Sequence, residues 1–171
     1  GCVRFSPQLV LTKEAEVCGG DLSREGYPFF AGRLSLMSSV QLAAPRRGEQ
    51  VFLTLPNLDV ALAKVRLNGK EAGPIVWRPY RVEITSLVRD GDNAVEIELI
   101  TSLRNLLGPH HRPDGEVDET WQVHYSARHA GGPKWYERRG DPDVEWTDDY
   151  FVLDFGLQGP VTVEYAQSKK L

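Results

Sequence analysis

The sequence predicts an all-β fold, an antiparallel β-sandwich, and three observations support that prediction. Short runs of residues alternate between apolar and polar side chains, which is the period of a strand with one buried face. Glycine, proline, asparagine and aspartate separate these runs, as turns between strands require. No stretch keeps a 3.6-residue apolar period long enough for a substantial helix. Several strands at short spacing without intervening helices are typical of a sandwich or barrel.

In the first half of the chain, strands are predicted at residues 9–11, 30–37, 51–55 and 61–67, the last two with apolar side chains at 51, 53 and 55 and at 61, 63, 65 and 67. Pro56-Asn57 ends the third of these strands. Asn68-Gly69 follows the fourth and favours a type I′ hairpin turn, because both central residues of that turn have positive φ. The return strand is predicted over 71–77, interrupted by Gly73-Pro74.

In the second half, Val82 and Ile84 alternate with charged neighbours, and residues 85–88 can form a single helical turn that 90–93 closes. The clearest strand follows, with Val95, Ile97 and Leu99 directed inward and Glu96 and Glu98 outward. Near the end, the predicted inward positions are Phe151, Leu153 and Phe155, followed by a turn at 156–160 and a last strand with Val161, Val163 and Tyr165.

Length and composition favour one globular domain over residues 1–171. Of the 171 residues, 41% are hydrophobic and 26% charged, which is ordinary for a soluble protein. The formal net charge of -4 argues against a general nucleic-acid partner, which requires a clustered basic surface. No apolar run approaches the roughly 20 residues that cross a bilayer, so no membrane partner is predicted.

The beginning of the chain indicates a piece of a longer polypeptide. Residue 1 is Gly, and the single Met is Met37. Cys2 and Cys18 could pair and fix the N-terminal segment, or both could be reduced, and the sequence leaves this open.

A long irregular loop is predicted at about residues 104–149. Its alternation is weak, and it holds all four His and three of the four Trp residues. Loops this long are usually functional or disordered, and aromatic richness argues against disorder. We expect the loop to cover one edge or end of the sandwich, with a short strand at about 121–125.

Three segments that follow one another along the chain resemble a known family. They are VRLNGKEAG at 65–73, WRPYRVEITSLV at 77–88 and DGDNAVEIEL at 90–99, and together they resemble the sugar-binding, galactose-binding-like jelly roll of glycoside hydrolase family 2. GYPFFAG at 26–32 resembles the opening of such domains in large bacterial glycosidase-like proteins. SLRNLLGPHH at 102–111, DDY at 148–150 and FGL at 155–157 also resemble segments of their C-terminal domains.

The resemblance extends from about Tyr27 to Val163 and implies a galactose-binding-like jelly roll that serves as a non-catalytic accessory domain. Such a domain binds carbohydrate or supports the catalytic domain of the parent glycoside hydrolase. The barrel carboxylates of those enzymes have no counterpart here, and the chain contains neither a G-x-S-x-G elbow nor a phosphate-binding loop. We therefore expect no catalysis by this chain alone. By analogy only, an extracellular or periplasmic parent is favoured.

A sugar site combines an aromatic face with polar groups that bind hydroxyls. Candidates for the aromatic face are Trp77, Trp135, Trp146 and Tyr136, and the polar candidates are Arg104, Asn105, His110, His111, Asp148 and Asp149. The alternative for each is structural: the Trp side chains cap the core, and Arg104 pairs with a loop carboxylate.

No metal site or cofactor is predicted. His110 and His111 would point to opposite faces of a strand, and His124 and His129 miss the helical i, i+4 spacing of zinc ligands. A structural calcium ion is a weak suggestion that would use carboxylate oxygens. Its candidate ligands are Asp90 and Asp92, or Asp141 and Asp143.

Three functions remain open at this point. A carbohydrate-binding module predicts an exposed Trp or Tyr in a concave polar setting. A purely structural domain, whose loop 104–149 packs on the parent's catalytic domain, predicts a contiguous apolar patch. In the third, the loop contributes residues to a neighbouring active site. The glycan, the parent's reaction and the oligomeric state are not determined by the sequence.

Overall fold

A computed structural model describes residues 2–5, 20–107 and 149–167. Its strands are β1 (Cys2–Phe5), β2 (Arg33–Leu42), β3 (Glu49–Thr54), β4 (Asn57–Asp59), β5 (Leu62–Leu67), β6 (Lys70–Ile75), β7 (Arg81–Glu83), β8 (Gly91–Ile100), β9 (Tyr150–Leu153), β10 (Gly156–Gln158) and β11 (Thr162–Gln167). Within the described part, one helical turn, α1 (Arg104–Leu107), follows β8. None of the described helical structure is long and apolar enough to span a membrane.

Two sheets form the sandwich that the sequence predicts. One has the strand order β2-β8-β5-β6 and the other the order β11-β3-β7, while β1 pairs with β9 and β10 with β4. Every pairing is antiparallel. The two larger sheets share one buried core, to which β3 contributes Val51 and Leu53, β5 contributes Val65 and Leu67, and β8 contributes Ile97.

The predicted alternation is confirmed in the central strands, where every second residue of β5 and β8 is buried. On the opposite face, Lys64 lies across from Glu98 and Arg66 across from Glu96. The Arg66 guanidinium and the Glu96 carboxylate are 3.2 Å apart. Opposite charges directly across a strand pair stabilise it modestly, so this face is a polar surface.

The hairpin turn is also confirmed. Asn68 has a φ of 53° and Gly69 a φ of 78°, the two positive values that a type I′ turn requires. At residues 85–88 the chain turns as predicted, with the amide of Leu87 donating to the carbonyl of Ile84 at 2.8 Å.

Several predicted boundaries were wrong. The strand predicted over 30–37 begins at Arg33 and continues to Leu42, because it pairs with β8 over its full length. The strand predicted from residue 61 begins at Leu62, and the return strand ends at Ile75, not at residue 77.

The alternation predicted for 151–155 was wrong as well. Phe151 and Val152 are both buried, because both sides of the short strand β9 are covered. The turn predicted at 156–160 begins as a strand, since β10 pairs with β4. Segments 9–11 and 121–125, and Cys18, lie outside the described residues.

Candidate functional site

A groove of about 490 Å³ lies where β2 and β5 begin and β8 ends. Phe30 and Phe155 contribute aromatic rings to its lining. The polar residues that line it are Asp59, Thr101, Ser102, Arg104, Asn105 and Asp154. These residues come from four separate parts of the chain, which the sheet ends bring together.

Asn105 fixes one wall of the groove. Its side chain is 5% exposed; its Nδ2 donates to the Leu153 carbonyl at 2.7 Å, and its Oδ1 accepts from the Leu153 amide at 2.9 Å. The amide therefore bonds to Leu153 as a neighbouring strand would, which satisfies a buried polar group. Residue 105 lies at the start of the predicted loop 104–149 and residue 153 lies just after its end, so these two bonds hold the chain segments at both ends of the loop together.

Phe30 is held by contacts on both sides. Its ring stacks with Phe155 at a centroid distance of 6.3 Å and meets Tyr27 edge-on at 5.8 Å. The Thr101 hydroxyl accepts from the Gly32 amide at 2.9 Å, which fixes the backbone just after Phe30. The aromatic part of the lining is thus preorganised.

Among the described residues, the charged lining consists of two carboxylates and one guanidinium. Asp59 is exposed on β4, opposite Gly156, whereas Asp154 and Arg104 are half-buried. The exposed Ser102 hydroxyl accepts from the Arg104 amide at 3.3 Å. Carboxylates accept hydrogen bonds and guanidinium groups donate them, so together they match groups that do both, such as sugar hydroxyls.

The predicted site residues fall into three groups. Arg104 and Asn105 line the groove, with the Asn105 amide bonded to Leu153. Trp77 follows β6, is 77% exposed and is not among the described lining residues. Asp149 precedes β9 and is half-buried. His110, His111, Trp135, Trp146 and Asp148 lie outside the described residues.

Sequence analysis missed Phe30, Asp59 and Asp154 as groove residues. Phe30 belongs to the GYPFFAG motif, which was noted for resemblance and not for a site. Asp59 follows Pro56-Asn57, which marks the end of a strand and carries no sign of a site. Asp154 was assigned to a strand alternation that does not exist.

The suggested calcium site finds no support among the described residues. Asp90 accepts from the Ala44 amide at 3.2 Å, and Asp92 accepts from the Gln41 side-chain amide. In residues 20–107 and 149–167, no three His, Cys, Asp or Glu side chains form a group that could hold a metal ion. Asp141 and Asp143 lie outside that part.

Comparison with known proteins connects the chain to glycosidases. No family model matches it. It is 26% identical over 162 residues to a Formosa agariphila protein that carries the provisional name beta-glucuronidase, a match that spans 88% of this chain and 13% of that protein.

Solved structures give the same picture of the fold. A rhamnosidase from a Novosphingobium species superposes with a TM-score of 0.56 and 24% identity, over 86% of this chain and 12% of that enzyme. Two beta-glucuronidases superpose with TM-scores of 0.50. The enzyme from Bifidobacterium dentium is 15% identical, and the match covers 88% of this chain and 24% of that enzyme. The enzyme from Faecalibacterium prausnitzii is 17% identical, and the match covers 96% of this chain and 28% of that enzyme.

The chain thus spans only 12–28% of the length of these glycosidases. It matches a portion of each of these proteins and not the whole of any of them. These matches confirm the predicted resemblance of the chain to a part of glycosidase-like proteins.

Proposed function

We propose that this chain is a carbohydrate-binding accessory domain of a glycoside hydrolase, and that the groove beside Asn105 binds the sugar. The observation that carries the proposal is the combination of the fixed Phe30 ring with Asp59, Asp154 and Arg104 in one concave surface. A volume of about 490 Å³ falls within the range of small-molecule sites.

The comparisons support the accessory role and leave the ligand to experiment. The chain matches small parts of proteins that are named or described as glycosidases. Trp77, Trp135 and Trp146, together with His110, His111, Asp148 and Asp149, stay predicted sugar contacts, and variants of the first two belong in the same experiment.

The test is binding of the folded chain to a panel of plant and bacterial polysaccharides. Asp59→Ala should weaken binding about tenfold or more, because a hydrogen bond to a charged group contributes about 1.5–3 kcal/mol. The matched control is Asp92→Ala, also an exposed Asp. It lies nine residues before Thr101 along β8, about 30 Å from the groove, and should bind as the unaltered chain does.

If Asp59→Ala binds the polysaccharides with unaltered affinity, the groove is excluded as the sugar site. Trp77→Ala and Trp135→Ala are measured in the same experiment to test the predicted aromatic contacts. The absence of binding across the panel by a folded chain would favour the second candidate, a structural domain without a sugar ligand. That candidate is supported by exposed apolar side chains in two places among the described residues. One place is the segment after β6, with Val76 and Trp77, and the other is at α1, with Leu103, Leu106 and Leu107.

A further inference from the structure

We infer that the groove binds uncharged sugar residues and excludes uronic acid residues, in which a carboxylate replaces the C6 hydroxymethyl group. The inference rests on the proposed function, because it names the class of sugar that the same groove accepts. It is drawn from the positions of Asp59, Asp154 and Arg104, the charged residues in the described part of the lining.

The two carboxylates of the groove come from adjoining chain segments. Asp59 is the last residue of β4 and lies opposite Gly156 of β10. Asp154 precedes Gly156 by two residues, in the link between β9 and β10. Because β4 and β10 are paired, a ligand in the groove meets both carboxylates on the side that these two strands form.

The backbone on both sides of Asp154 is fixed by hydrogen bonds. The amide and the carbonyl of Leu153 both bond to the Asn105 side chain. The Phe155 carbonyl accepts from the Leu22 amide at 2.8 Å. The backbone that carries Asp154 therefore cannot move away from a ligand without breaking these bonds, so the groove cannot easily adapt to a ligand that its carboxylates repel.

The chemistry of this lining selects for ligands that donate hydrogen bonds. A carboxylate only accepts hydrogen bonds, so the carboxylate of a uronic acid cannot bond to Asp59 or Asp154, and the like charges repel. A sugar hydroxyl can donate to either aspartate and accept from Arg104. An uncharged sugar thus matches the whole lining, whereas a uronic acid places unpaired like charges together, which is a common basis of specificity.

Arg104 does not reverse this selection. Its guanidinium can form an ion pair with a carboxylate, but the described lining has two negative charges and one positive charge. A volume of about 490 Å³ corresponds to roughly 8 Å across, which is less than the Debye length of about 10 Å at 0.1 M salt. A uronic acid that reaches Arg104 therefore remains within the field of both aspartates.

The test is calorimetric titration of the folded chain with oligosaccharides of glucose, mannose and galactose, and with the uronic acid counterparts that differ from them at C6. Each uronic acid form should bind roughly tenfold more weakly than its uncharged form at low salt, because like charges brought together at a binding site oppose association. The ratio should fall towards one at high salt, which screens these charges.

Asp59→Asn removes one charge and keeps the shape of the side chain, so it should restore most of the lost affinity for the uronic acid forms. The matched control is Asp92→Asn, an exposed aspartate near the start of β8, whereas the groove lies where β8 ends. Asp92→Asn should leave the ratio of the two affinities unaltered.

Equal or tighter binding of the uronic acid forms would overturn the inference and leave the groove as a sugar site, with Arg104 as the partner of the carboxylate. An unaltered ratio in Asp59→Asn would also overturn it, since the selection would then not come from this carboxylate. If no member of the set binds to the folded chain, the inference fails, and the polysaccharide panel decides separately on the proposed function.

Discussion

Two glycines with nearly the same backbone conformation have very different surroundings. Gly20 has a φ of 131° and Gly156 a φ of 134°, values that are strained for any residue with a Cβ. A Cβ on Gly156 would lie 2.2 Å from the Gly20 carbonyl oxygen, whereas a Cβ on Gly20 would meet no atom of the described residues within 4 Å. Backbone strain and steric exclusion can therefore be separated at these positions.

Gly20→Ala should lower the free energy of unfolding by about 1–2 kcal/mol, the cost of the strained φ alone. Gly156→Ala should lower it by about 3–5 kcal/mol, because overpacking against fixed backbone adds to the same strain. Urea denaturation of both variants measures the difference. Equal losses would show that the backbone around Gly20 moves freely enough to remove the clash.

At the residue scale, the sequence indicates conformation better than contact. Gly156 lies in FGLQGP, whose glycines and proline predict a change of chain direction, although residues 156–158 form the strand β10. The exclusion of a Cβ depends on the Gly20 carbonyl oxygen, more than a hundred residues away in the chain. The residues around Gly156 in the sequence do not indicate that the Gly20 backbone lies so close.

At the scale of elements, Asn93 connects the β5–β6 hairpin to the loop that precedes β8. Asn93 is fully buried. Its Oδ1 accepts from the Arg89 amide at 2.9 Å and from Asn68 Nδ2 at 2.8 Å. Its Nδ2 donates to the carbonyls of Arg89 and Gly91, both at 2.8 Å. Every hydrogen-bonding group of this buried amide is thus satisfied.

Asn93→Ala should lower the free energy of unfolding by about 2–4 kcal/mol, because it removes the part-buried hydrogen bonds to the backbone of Arg89 and Gly91. Asn68→Gly should cost only about 1 kcal/mol, since glycine keeps the positive φ of the turn and only the side-chain bonds are lost. The double variant should lose less than the sum of the two, because both single changes remove the same Asn68–Asn93 bond. Strict additivity in urea denaturation would contradict this coupling.

The hairpin also shows which elements the sequence can predict. Asn68-Gly69 determines its own turn through local backbone preference, so the turn was predicted correctly and the strands beside it were predicted with small errors at their ends. Strand β10 has only three residues, and it exists because β4 lies beside it. Its partner is separated from it by about a hundred residues of sequence, so local sequence patterns predicted a turn at residues 156–160 and not a strand.

At the scale of the whole molecule, the groove could be predicted only in part. Arg104 and Asn105 were identified because they stand at the start of an unusual loop with many polar and aromatic residues. Phe30, Asp59 and Asp154 reach the same groove from elsewhere in the chain. Their meeting depends on the order of strands in two sheets, and the hydrophobic pattern determines the class of fold without determining that order.

The shared core makes a prediction about the cooperativity of folding. The core residues of β3, β5 and β8 form one cluster, so neither sheet can lose its partner without exposing its own apolar face. We therefore expect one unfolding transition, as two-state behaviour requires, with far-UV circular dichroism and tryptophan fluorescence changing together. This experiment also tests the prediction that residues 1–171 form a single domain.

Substitutions on opposite sides of the core sharpen the experiment. Leu53 on β3 and Leu99 on β8 are both fully buried, and Leu53→Ala or Leu99→Ala should each cost about 2–5 kcal/mol. If the sheets unfold as one unit, each substitution shifts the transition seen by both probes equally, whichever sheet carries it. A shift confined to one probe, or a second transition in either variant, would mean that the two sheets unfold separately and that the shared core contributes less to stability than its burial indicates.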